Sequence, residues 1–205
     1  VSPQVIRVRG AQGSEDFEAD HFVIATGTVP AVSPDVVIDG EAVIDSDGIV
    51  GLSSIPKTMI IVGGGVIGVE YACMFATLGS AVTLIDGRKR LLEFVDGEIV
   101  EALMYHMRNT GVTFRLGELV DRVERAEHGV TASLKSRKQL RAECLLYAVG
   151  RLGNTASLNL DAVGLSADER GRLAVDKTFR TSVPHIYAAG DVVGFPSLAS
   201  VSMDC

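Results

Sequence analysis

The sequence predicts an α/β fold built on a parallel, Rossmann-like doubly wound sheet, and three observations carry that prediction. The apolar run "MIIV" (59–62) leads into "GGGVIG" (63–68) and then into a helical pattern, "VIGVEYACMFATLG" (66–79). Strand-like and helix-like segments then alternate in β-α-β-α-β order, the signature of a parallel sheet. Finally, three apolar runs end in a small residue followed by glycine: "FVIATG" (22–27), "LLYAVG" (145–150) and "IYAAGD" (186–191). A strand that stops on glycine lets a ligand or another backbone approach its carboxyl end.

In order along the chain, residues 1–50 read as two strands and a loop holding Pro30 and Pro34. "MIIV" is a strand, and Gly79 closes the helix that follows the glycine-rich turn. "AVTLI" (81–85) is the next strand. Asp96 is the expected N-cap of "GEIVEALMYHMRNTG", where Ile99, Leu103 and Met107 recur at i, i+4, i+8. "VTFRL" (112–116) follows as a third strand. Residues 119–147 read as short β segments, broken at His128-Gly129 and Ser136-Arg137, forming an antiparallel excursion that closes on "LLYAVG". Residues 151–205 supply a glycine-rich segment, one strand and a truncated helix. This division predicts three stretches, 1–54, 55–150 and 151–205, with the outer two being pieces of one neighbouring domain interrupted by the middle one.

Bulk composition narrows the function. The chain has 205 residues, 47% of them hydrophobic and 22% charged, which is ordinary for a globular protein able to bury a core. A net charge of −7 argues against a broad nucleic-acid surface. No apolar run approaches the ~18 residues of a membrane span. The three cysteines, Cys73, Cys144 and Cys205, have no CxxC spacing, which fits a reducing cytoplasm, and packing accounts for Cys73 and Cys144. His21, His106, His128 and His185 are dispersed, so no metal is expected. Val1-Ser2-Pro3 lacks methionine and the regions of a signal peptide, and "SVSMDC" stops as a helix begins. The chain therefore reads as part of a longer protein.

"GGGVIG" satisfies G-x-G-x-x-G in the right setting: a strand before it, a helix after it, and Asp86 lying 18 residues past Gly68. In such a motif Gly63 makes the tight turn, Gly65 lets the backbone approach a pyrophosphate, and Gly68 lets helix and strand pack closely. The pyrophosphate sits on the helix N-terminus, where free N–H groups and the dipole favour negative charge. The next strand ends in a stretch that points two ways, "LIDGRKRLL" (84–92). Asp86 is placed to accept a hydrogen bond from a ribose 2′-hydroxyl, the mark of an NAD site. Arg88, with Lys89 and Arg90 behind it, is placed to hold a 2′-phosphate, the mark of an NADP site. Glu70, one turn into the helix, is an acid near the positive end of its dipole. Asp191, beyond the third glycine-ended strand, is either a turn-former or a carboxylate that accepts hydroxyl hydrogen bonds from a sugar-like ligand.

Taken in order, "ATG", "GGGVIGVE", "LLYAVGR" with Asn154-Thr155, and "IYAAGDV" resemble the flavoprotein disulfide reductases over the whole chain. The resemblance implies an NAD(P) domain (55–150) inserted between two parts of an FAD domain (1–54 and 151–205). It implies that Thr26, Gly27, Asp191, Leu198 and Ala199 touch FAD, with Asp191 on the ribityl chain. It likewise assigns Gly63, Gly65, Val66, Ile67, Gly68 and Gly150 to the nicotinamide nucleotide, along with Asp86, Arg88 and Arg90. Glu70 matches an acid that pairs with a flavin-adjacent lysine, and Val66 stands where glutathione reductases place a gating tyrosine. Gly153 stands where most relatives carry proline. The nearest likeness is to members that pass hydride from NADPH through flavin to NAD⁺; the alternatives are disulfide reduction of the dihydrolipoamide dehydrogenase kind, or a nucleotide-binding module without turnover. By the same likeness the full protein is a cytoplasmic homo-oligomer assembled through a C-terminal domain, and the isolated chain is inactive.

Overall fold

The computed structural model describes residues 4–194 together with Ser197 and Ser202. Two compact units emerge: Pro30–Gly150, and the described residues on either side of it.

The chain enters the flanking unit through a hairpin, β1 (Val5–Gly10) and β2 (Gly13–Glu18), with Arg7 forked onto Asp16 at 2.7 and 2.8 Å. "GSEDFE" carries one large apolar residue, so β2 has no periodicity to betray it in the sequence. Two short strands follow, β3 (Phe22–Ile24) and β4 (Thr28–Pro30). With β5 (Val43–Asp45), the first fifty residues hold five strands rather than the expected two.

The central unit is a five-stranded parallel sheet. Its members are β5, β6 (Thr58–Val62), β7 (Ala81–Asp86), β8 (Thr113–Leu116) and, later in the chain, β12 (Cys144–Tyr147), in the order β5-β12-β6-β7-β8. Helices α1 (Val66–Thr77) and α2 (Gly97–Asn109) connect β6 to β7 and β7 to β8. Both steps move the same way across the sheet, and parallel crossovers are right-handed, so both helices fall on one face. The strands alternate accordingly. Met59, Ile61, Leu84 and Leu146 pack with Val69, Ala72, Phe75, Met104 and Met107 from the helices. Ile60, Val62, Ile85 and Leu145 turn to the other face. That face is covered by the antiparallel excursion, β9 (Val120–Ala126), β10 (Gly129–Leu134) and β11 (Gln139–Ala142), through Val130, Ala132, Leu134 and Ala142. A small sheet thus does on the second face what helices do in other doubly wound proteins.

Two expectations change. The division falls at 29/30, not at 54/55. β5 pairs in parallel with β12, and Val36, Ala42 and Val43 are buried against Ile60, Val62 and Leu145. The Asp39 carboxylate takes the N–H groups of Glu41, Ala42 and Val43, and Arg125 bridges Asp39 and Glu41 at 2.7 and 3.1 Å. Residues 30–54 are therefore part of the sheet unit. In α2, Asp96 caps the helix as expected, accepting from the Glu98 N–H at 2.9 Å. The buried stripe is Val100, Met104 and Met107, however, while Ile99 faces outward. Helix rotation is set by this stripe of three buried side chains, with Leu103 packed at its margin, and together they outweigh one isoleucine.

The flanking unit resumes with β13 (Arg151–Gly153) beside β4 and β14 (Ile186–Ala188) parallel to β3. Its described core is small, centred on Leu173, Ala188 and Val192.

Candidate functional site

Winding reverses where β6 meets β12: the chain moves from β6 outward through β7 and β8, then returns to pair β12 on the other side. In open α/β sheets ligands bind beyond the carboxyl ends of the strands at such a switch point. The glycine-rich turn lies there. Gly63 has φ +116°, and a Cβ on it would fall within 2.2 Å of the Ala148 carbonyl oxygen. A Cβ on Gly68 would lie 1.8 Å from the Gly63 oxygen. These two glycines are demanded by the protein's own backbone. Gly65 is different. It is the N-cap of α1 with ordinary φ −80°, no side chain caps the helix, and a Cβ there would meet nothing within 4 Å. The fold does not need glycine at 65; the space above it is open. Val66 and Ile67 form the first turn beside that space, with Val66 half exposed. Gly150 (φ +131°) lies just past β12 on the same sheet edge, its carbonyl accepting from the Ala31 N–H at 2.9 Å.

Asp86 ends β7, and its side chain is only 7% exposed. Its Oδ2 accepts from the Gly64 N–H at 2.5 Å and from Arg88 Nη2 at 2.7 Å. Its Oδ1 accepts from the Arg88 N–H at 2.7 Å and from Arg88 Nε at 2.9 Å. Burial pushes the carboxyl's pKa up. The guanidinium of Arg88, then the N–H groups of Arg88 and Gly64, outweigh burial and hold it below the usual carboxylate range. The hydrogen bond to Asp86 raises Arg88 in turn, against its own partial burial, and Glu93 adds to the negative surroundings. Asp86, expected on a hydroxyl, and Arg88, expected on a phosphate, thus also hold each other. Arg90 does not join them. Its Nη2 donates to the Val95 carbonyl at 2.6 Å, at the entry to α2.

Gly64 is the residue that sequence reasoning passed over. Its N–H fixes the Asp86 carboxylate, and a Cβ on it would meet Leu91 at 2.4 Å and Asp86 Oδ2 at 3.0 Å. The middle glycine of three, where the motif asks for none, was the available signal. Glu70 is exposed on α1, one turn from Gly65.

In the flanking unit, β3 and β14 run parallel, Ile24 opposite Ala188, so their carboxyl ends share an edge. Thr26 and Gly27 (φ +64°) follow β3 there, and Asp191 follows β14 in a 3-10 turn, Gly190–Val193. Asn154 ties down the first loop, its N–H donating to the Gly27 carbonyl at 2.9 Å. Asp191 Oδ1 accepts from Ser202 Oγ at 3.4 Å, a long bond for a hydroxyl. Leu198 and Ala199 lie outside the described residues. Among the described residues no cluster of metal-ligating side chains occurs, and no helix is long and apolar enough to cross a membrane.

The sequence profile described as pyridine nucleotide-disulphide oxidoreductase matches residues 3–204. A soluble pyridine nucleotide transhydrogenase of Mycobacterium bovis is 51% identical over 185 residues, which is 90% of this chain and 40% of that protein. Its counterpart in Vibrio cholerae is 49% identical over 205 residues, 100% of this chain and 44% of that protein. Among solved structures, the Cu(II) complex of the HOCl-induced flavoprotein disulfide reductase RclA from Escherichia coli superposes with a TM-score of 0.91 at 34% identity, over 98% of this chain and 46% of that one. The chain thus spans less than half the length of the relatives it matches.

Proposed function

The chain belongs to the pyridine nucleotide-disulphide oxidoreductase family, and from that premise we propose that it serves a soluble pyridine nucleotide transhydrogenase, in which hydride passes from NADPH to NAD⁺ by way of FAD. The observation that carries this reading is the nucleotide loop. One strand end presents both an acid suited to NAD and an arginine suited to NADP, beside an open helix N-terminus at Gly65. A transhydrogenase has to take both nucleotides at one site in turn, so a loop committed to neither is what it requires.

The central unit, Pro30–Gly150, would hold the nicotinamide nucleotide: Gly63, Gly65, Val66, Ile67 and Gly68 around the phosphates, Gly150 on the neighbouring strand end, Asp86 and Arg88 at the adenosine ribose. The flanking residues would hold FAD, which supplies the hydride-carrying ring. Thr26 and Gly27 sit at one strand end and Asp191 at the next, with Leu198 and Ala199 assigned on resemblance. The Asp191 carboxylate has acceptor capacity left for a polyhydroxyl chain, since Ser202 engages it only at 3.4 Å. No side chain need act as a nucleophile, because the cofactor carries the redox chemistry and the residues bind and orient it. Glu70 is assigned to position a lysine beside the flavin. By the family resemblance the full protein would be a cytoplasmic homo-oligomer, and the word soluble in its relatives' names supports the first of these.

The test is direct. Full-length, flavin-loaded protein is given NADPH and the thionicotinamide analogue of NAD⁺, and reduction of the analogue is followed optically. Steady transfer supports the proposal. Reduction of a disulfide substrate by NADH without transfer between nucleotides would move the protein to the disulfide reductases.

A further inference from the structure

A carboxylate offers roughly four lone-pair positions, and in Asp86 four protein donors fill them: the N–H groups of Gly64 and Arg88, and the Nε and Nη2 of Arg88. The two backbone donors are fixed by the glycine turn and by the end of β7. Only the guanidinium can leave, and its side chain is 43% exposed against 7% for its partner. A ribose 2′-hydroxyl that is to donate to Asp86 must therefore displace it.

The opposite holds for a 2′-phosphate. A guanidinium has five N–H donors in a fixed fork. Arg88 spends one on each side of the Asp86 grip, from Nε and Nη2, which leaves both Nη1 hydrogens and the second on Nη2. An anion can be received without breaking the pair. The pair also neutralises the carboxylate, whose bare charge would repel a phosphate.

We propose that Arg88 is an internal competitor for the ribose site, so that the loop has two settings: with Arg88 forked onto Asp86 it accepts a 2′-phosphorylated nucleotide, and with Arg88 displaced it accepts a 2′-hydroxyl one. One loop then serves both nucleotides by exchanging partners on a single carboxylate. This inference rests on the nucleotide-binding reading above.

Its signature is a pair of changes of opposite sign. Removing a simple phosphate contact weakens NADPH and leaves NADH alone; removing a competitor weakens NADPH and strengthens NADH. In titrations of Arg88→Ala, the NADPH dissociation constant should rise about tenfold, as expected for loss of a charged hydrogen bond. The NADH constant should fall, by about threefold or more, once the hydroxyl no longer has to compete. Unchanged or weakened NADH binding would overturn the proposal. Failure of wild-type protein to bind either nucleotide would instead sink the nucleotide-binding reading itself.

Should Arg88→Ala not fold, wild-type protein labelled with ¹⁵N-arginine gives the same answer. The Nε–H signal of Arg88, held on Asp86, should persist in slow hydrogen exchange with NADP⁺ bound and should move and exchange faster with NAD⁺ bound. An Nε–H signal that behaves identically in both complexes would overturn the proposal.

Discussion

The central unit and the flanking unit are made of the same material, short parallel strands ending in glycine, yet they hold themselves together very differently. The central sheet has five strands and is covered on both faces, with Ile61, Leu84, Met107, Leu145 and Leu146 fully buried. In the flanking unit, the parallel pair β3 and β14 leaves Val23 64% exposed, and the described core centres on three small or medium side chains. Parallel strands are stable when both faces are covered, and a two-stranded pair alone is marginal. The difference teaches that a nucleotide site is only as firm as the layers behind it: the central loop is set on a finished core, the flanking edge on a thin one.

The largest effects should come from glycines the backbone itself requires, and they should stay within their own unit. Gly63→Ala places a methyl on the Ala148 carbonyl at a φ that side chains resist, and should cost the central unit more than about 3 kcal/mol. Gly171 is the flanking counterpart. Its φ is +71°, and a Cβ there would lie 2.4 Å from the Gly153 oxygen. Gly171→Ala both clashes and strains the backbone, so it should loosen the flanking unit while the main thermal transition stays in place. Loss of the central transition in Gly171→Ala would erase the contrast between the units.

Next in size are core truncations. Met107→Ala empties a fully buried position and should cost about 2–5 kcal/mol in urea unfolding, whereas Val23→Ala should stay within about 0.5 kcal/mol. Equal losses would erase the contrast between the units. Hydrogen exchange should agree, with the amides of β6, β7 and β12 the slowest and those of β3 and β14 exchanging by easier local opening.

The smallest effect concerns pH. Asp86 has its pKa lowered in the folded chain, so it contributes stability above its unfolded value, near about 3.9, and that stability is lost as pH falls through the folded value. The central unit's urea midpoint should therefore drop more steeply below about pH 4 in wild type than in Asp86→Asn. Parallel curves would mean that the Arg88 grip does not persist in solution.

Much of this was legible in the sequence because it rests on local rules. The strand, glycine turn and helix around 59–79 follow from period and spacing, as does the Asp96 cap. What failed depended on distant partners. β2 is written in polar residues, and only its register with β1 makes it a strand. Residues 30–54 looked like a flank until β5 found β12, a hundred residues later. The candidate residues around Gly65 could be named from the sequence one by one, and the structure brings them to one strand edge. The grip of Arg88 on Asp86 was not legible, because spacing shows that two charges can face a ligand but not that they face each other.

On the proposed function, the space over Gly65 is kept open for a dinucleotide's phosphates. Gly65→Ala tests it most directly, because the added methyl meets no protein atom and the backbone there is unstrained. The variant should lie within about 1 kcal/mol of wild-type stability and should have lost most of its affinity for both NADH and NADPH in a calorimetric titration. A stable Gly65→Ala chain that binds both nucleotides as wild type does would contradict it.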